Sequence, residues 1–147
     1  MRLPKPPHLL PLASAILVAV GVAINSGLEP SVRTLPAILV ISIGLLGVVS
    51  DVSDRPLERL RQTTARWWAI AFVVFLPYGL VTAPSSEEAR ALGETLSTAI
   101  PVVVFESAAG SVFLCAAAVT ALYAMAVYGI HPGRPSPEER VLDGFDD

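Results

Sequence analysis

The stretch from Leu96 to Ile130 constrains the rest of the chain. Its ionisable side chains are Glu106 and the weak acids Cys115, Tyr123 and Tyr128, and from Ala108 onward it is apolar or small throughout. A chain of 147 residues cannot build a soluble core that surrounds such a helix on every side. About 20 apolar residues, each rising about 1.5 Å, cross the hydrocarbon of a bilayer. A membrane span is therefore expected here.

Composition agrees. Hydrophobic residues make up 53% of the chain, and 16% are charged, against roughly 25% in soluble domains. Mean hydropathy is +0.62. The net charge is −3 with no basic block, which argues against a nucleic-acid partner. The single cysteine, Cys115, lies inside an apolar run and can support neither an intrachain disulfide nor a multi-cysteine metal site. The preference for arginine over lysine and the acidic loops resemble a prokaryotic, GC-rich composition.

Four apolar runs are expected to span, at about residues 8–26, 34–52, 66–83 and 102–130. The first follows a short basic lead with Arg2 and Lys5. A basic lead before an apolar run also describes a signal peptide. This run is longer than most signal cores and no Ala-x-Ala site follows it, so an uncleaved span is expected. In the second run Gly44 and Gly47 thin one side and favour a close neighbour. Residues 51–66 read as a solvated connector. The alternative is a short helix capped by Asp54, lying along the headgroups with snorkelling arginines. The third run opens on Arg66, Trp67 and Trp68, an interfacial anchor, and contains Pro77, which removes a backbone bond and is expected to kink it.

Pro84 ends the third run. Residues 86–99 then read as an amphipathic interfacial helix. Ser85 and Glu88 form a candidate capping box, and Ala89, Leu92, Leu96 and Ala99 recur at helical spacing. Whether Leu96–Phe105 lies in the interface, re-enters the membrane or lengthens the fourth helix is open at this stage. Residues 132–147 carry three prolines and five acids and read as a disordered acidic tail.

The distribution of basic residues orients the chain. Four spans place eight of the ten lysines and arginines on the side of both termini, leaving Arg33 and Arg90 opposite. By the positive-inside rule both termini are cytoplasmic in the cell membrane. Trp67, Trp68, Tyr123 and Tyr128 fall on the same inner side.

Few positions offer chemistry. Glu106 is the best single candidate for an ion or proton site, because an acid near hydrocarbon is costly unless hydrated or paired. Counting about 20 residues back from Tyr128 puts it at the edge of the hydrocarbon, where Ser107, Thr98 or neighbouring helix ends would satisfy it structurally. His8, Asp51 and His131 all fall at inner helix ends and form a weak candidate cluster for a metal or a proton. Small residues repeat at Ala15, Ala19 and Ala23, at Ser107, Ser111 and Cys115, and at Ala116, Thr120 and Ala124. Such ladders let membrane helices pack closely, within one bundle or against a second copy. No phosphate-binding loop, dinucleotide fingerprint, Cys-x-x-Cys, His-Glu-x-x-His or Gly-x-Ser-x-Gly sequence is present, so no catalytic, cofactor or metal residues are assigned.

The expectation is an all-α integral membrane protein, with four spans in a bundle and an interfacial helix before the fourth. Its expected role is non-enzymatic. It acts through helix packing, as a homo-oligomer or as the accessory subunit of a membrane-protein partner in the bilayer. The alternative is a small transporter or channel that uses Glu106.

Overall fold

In the computed structural model, residues 9–25 and 31–129 are described. They form five helices: α1 (Leu9–Ile24), α2 (Thr34–Val52), α3 (Leu57–Thr82), α4 (Glu87–Ala99) and α5 (Val102–Val127). α2, α3 and α5 are long and apolar enough to cross a membrane, and α1 is a shorter apolar helix of 16 residues. A helical membrane protein has this composition.

α1 and α2 pair because α2 lacks side chains where they meet. A Cβ on Gly44 would stand 2.6 Å from Val18 Cγ2 and 2.8 Å from the Ser14 carbonyl oxygen, and Gly47 faces Ser14 as well. The backbones therefore approach as small residues allow. The facing ends of the two helices are tied by the Thr34 hydroxyl, which donates to Asn25 Oδ1 at 3.0 Å. α5 packs against α1, α2 and α3, whereas α3 packs against α5 and α4. The core is Val18, Val48, Val52, Leu60, Cys115, Val119 and Leu122, contributed by α1, α2, α3 and α5.

The bounds of α2 coincide with those expected, and α1 and α4 come within two residues of theirs. The third helix is longer than the apolar run. It begins at Leu57, so Leu57–Arg66, expected as a solvated connector or a short surface helix, is helical and continuous with that run, with most of its side chains exposed. Leu60 is fully buried in the core, and Thr64, one turn on, is buried with its hydroxyl donating to the Leu60 carbonyl at 2.9 Å. Those two positions hold the charged segment helical. Asp54 does not cap it, because Pro56 occupies the N-cap and no side-chain cap bond is made.

α4 is capped by Ser86, not Ser85: its hydroxyl accepts from the Ala89 amide at 3.1 Å. α4 docks through Gly93, its one buried residue, which lies directly on the Leu80 carbonyl of α3. The helix ends before Ile100–Pro101, and α5 starts at Val102 as a separate continuous helix, so Leu96–Ala99 belongs to α4 and Val102–Phe105 to α5. α5 stops at Val127 because Gly129 adopts φ 77° just beyond the cap, the left-handed ending that glycine permits. Ser26, Ile130 and the acidic tail at 132–147 lie outside the described residues.

Gly44→Ala is expected to lower stability by about 1–3 kcal/mol, because the added methyl overpacks the α1 seam. Gly79→Ala is expected to raise it by about 0.5–1 kcal/mol, since a Cβ there meets nothing within 4 Å. Denaturant unfolding of both variants measures the contrast, and equal effects would contradict the seam.

Candidate functional site

α5 carries almost no bulk on the faces that it buries. Its buried residues are Ala109, Ser111, Cys115, Ala116, Val119 and Leu122. Toward α1, the Ser111 hydroxyl donates to the Ala15 carbonyl at 2.6 Å. Toward α3, Trp68 Nε1 donates to Thr120 Oγ1 at 2.9 Å, and that hydroxyl donates onward to the Ala116 carbonyl at 2.7 Å. The Trp68 ring also meets Phe113 edge-on, with centroids 5.6 Å apart and planes at 87°. The small-residue ladder of α5 is thus engaged within the chain, Ser111 and Cys115 in the packed interior and Thr120 against α3.

α1 and α3 sit on different flanks of α5 and leave a groove between them. Its outer part holds about 350 Å³, with Ala109 and Gly110 as floor, Phe75, Tyr78 and Phe113 on one side and Val22 on the other. An adjoining part of about 210 Å³ runs along Trp68, Ala71 and Phe72, sharing Phe75, Ala109 and Phe113. Phe75 and Tyr78 contact each other edge-on at 5.4 Å. Phe72 is 73% exposed and Phe75 54%.

Glu106 lines the outer end of this groove, half-buried and one turn into α5. Gly110 faces Val22 of α1, and Glu106 lies about 6 Å further along the helix. The carboxylate therefore comes near the level where α1 ends. Its expected partners do not serve it. The Ser107 hydroxyl donates to the Val104 carbonyl and the Thr98 hydroxyl to the Glu94 carbonyl, at 3.1 and 2.8 Å, the usual back-bonding of hydroxyls on helices. Among the described residues Glu106 forms no hydrogen bond or salt bridge.

Of the inner cluster, only Asp51 falls among the described residues. His8 and His131 lie outside the described residues, and Asp51 is taken by Arg55, whose Nη2 sits 2.8 Å from Asp51 Oδ2. Among the described residues no group of three or more histidines, cysteines and acids is placed to hold a metal.

Sequence reasoning found Glu106 but missed the aromatic wall. Phe72, Phe75 and Tyr78 recur every three residues, a helical signal that was there to be read. What it faces depends on which helices pair, and periodicity does not specify that. Compared with known families, curated proteins and solved structures, the chain matches none.

Trp68→Phe and Thr120→Val are each expected to cost about 1 kcal/mol, the net worth of one hydrogen bond. The double variant should cost less than their sum. A double-mutant cycle on unfolding free energy reads the coupling, and strict additivity would mean that the bond contributes nothing.

Proposed function

We propose that the chain is a four-span membrane protein of the cell membrane with both termini cytoplasmic. It acts without catalysis by seating a transmembrane helix of a partner subunit or a second copy. The observation that carries this reading is the open groove on α5. α3 is anchored to α5 by Trp68 while its aromatic face stands uncovered beside small floor residues. Helix association in membranes is driven by close packing against such small residues.

The membrane reading rests on three supports. Large apolar side chains point outward on several helices, among them Leu35, Leu46, Phe72 and Val73, a surface that water does not tolerate. α1, at about 24 Å, is short for a bilayer core of about 30 Å. It packs against both α2 and α5, and such company suits a short span. Arg59, Arg61 and Arg66 fall in the first ten residues of α3 and Arg90 on α4 beyond its far end, which preserves the positive-inside bias. The first ten residues of α3 run beside the last turns of α5, with Leu60 in the core and Arg59, Arg61 and Arg66 exposed at the end of the bundle, the headgroup level in this reading.

Topology is tested by single cysteines in a Cys115→Ala background. An impermeant maleimide applied to intact cells is expected to label Thr95→Cys and to leave Ser53→Cys unlabelled until the membrane is opened. The reverse pattern would overturn the orientation, and extraction of the chain by alkaline carbonate would overturn membrane insertion.

Helix seating is tested by native mass spectrometry after purification in mild detergent. The wild-type chain is expected to carry a further membrane subunit or a second copy. Phe72→Ala with Phe75→Ala should weaken that complex at least tenfold, and a wild-type monomer would sink the reading. One observation favours transport as a second reading: Glu106 lines the same groove without a protein partner. Under helix seating, Glu106→Gln leaves the complex mass unchanged. A flux in proteoliposomes that Glu106→Gln abolishes would instead assign the groove to transport.

A further inference from the structure

The opposite end of α3 carries a second cavity with different chemistry. α2 ends at Val52 and α3 begins at Leu57, so Arg55 is held in the tight connection between them. Its Nη2 donates to Asp51 Oδ2 at 2.8 Å and its Nη1 to Thr63 Oγ1 at 3.2 Å. The Thr63 hydroxyl donates in turn to the Arg59 carbonyl at 2.8 Å. These bonds fix one guanidinium on the wall of a depression of about 560 Å³, shared with Glu58, Arg59 and Arg66. Arg59 and Arg66 are seven residues apart and lie on one helix face. Among the described residues neither forms a salt bridge. Asp51 is engaged by Arg55, and among the described residues that line the depression Glu58 is the one acid beside Arg59 and Arg66, so this lining carries a net positive charge.

Arg55, Thr63 and Arg66 also line an adjoining cleft of about 290 Å³, whose other walls are Pro11, Val48, Val52, Trp67 and Ile70 and, beside Arg55, its ion-pair partner Asp51. A cationic depression that opens into a mostly apolar cleft matches an amphiphile with an anionic head. We propose that this two-part cavity binds an anionic phospholipid, its phosphate against Arg59 and Arg66 and the start of an acyl chain in the cleft. The proposal rests on the membrane reading above, which puts this end of α3 at the cytoplasmic headgroups. Guanidinium forks suit phosphate oxygens, and basic pockets between helices on the cytoplasmic side favour such lipids. A free phosphate would leave the apolar cleft unused. A choline headgroup would bring a second cation against the arginines.

The full chain in mild detergent is titrated with phosphatidylglycerol, phosphatidylcholine or inorganic phosphate, reading retained lipid by native mass spectrometry and the thermal midpoint. Phosphatidylglycerol is expected to be retained and to raise the midpoint, while the other two do neither. Each cation near an anionic surface is worth about fivefold in affinity, so Arg59→Gln with Arg66→Gln should weaken retention about 25-fold. Arg61→Gln removes a charge from the same segment outside the depression and should leave retention unchanged. Equal loss in both variants would reduce the effect to bulk charge and overturn the site. An equal shift with inorganic phosphate would reassign it to a free anion and overturn the lipid. Failure of the membrane reading shows separately, as a chain that stays soluble without detergent before any lipid is added.

Discussion

The arrangement depends on how little α5 places in its own interfaces. Ala109, Ser111, Cys115 and Ala116 occupy positions where a larger side chain would hold the neighbouring helices apart. Because they are small, one helix can touch α1, α2 and α3. Ser111 then reaches a backbone carbonyl on α1, and Thr120 is close enough to receive the Trp68 indole. Neither bond is strong, but each requires close approach, and close approach is what small side chains provide in an apolar surround. Gly44 serves the α1–α2 seam in the same way.

That distribution leaves α3 unevenly held. It is anchored to the core near its first turns by Leu60 and Thr64, then by Trp68 through a hydrogen bond and an aromatic contact. Beyond Phe75 its neighbours thin out, and a Cβ on Gly79 would meet nothing within 4 Å. Pro77 falls in this stretch and removes the amide that would have bonded the Val73 carbonyl. α4 then closes the helix end, with Gly93 on Leu80. The groove thus runs from the Trp68 anchor, where α3 is held, to Tyr78, past which α4 takes over.

Much of this was legible in the chain. Apolar runs located α1, α2, the greater part of α3 and α5, because helix length and hydropathy are local properties. Counting from Tyr128 put Glu106 at the edge of the hydrocarbon, and in the structure it stands one turn from Gly110, which faces Val22 near the end of α1. Local signals failed where few residues decide. Leu57–Arg66 is so charged that two buried positions, Leu60 and Thr64, are hidden among arginines, yet those two determine that it is helix. The Ser85–Glu88 spacing resembled a cap, but the backbone turns one residue later and Ser86 makes the bond. The groove was illegible for a different reason. Its walls come from α1, α3 and α5, and hydropathy does not say which helices become neighbours.

α3 therefore links two surfaces of opposite character. At one end, Arg55, held by Asp51, and Arg59 and Arg66, which form no salt bridge among the described residues, line a depression that continues into a mostly apolar cleft. At the other, aromatic rings flank a groove closed by a single carboxylate. A rigid helix fixed at its basic end transmits position along its axis, whereas one interrupted by proline transmits less. Pro77 leaves Phe72 and Phe75 on the same side as the Trp68 anchor and the basic segment, and only Tyr78 of the aromatic wall beyond it. The two surfaces therefore share one helix but draw their other walls from different places, the α2 end and its connection to α3 at the basic end, and α1 and α5 at the groove.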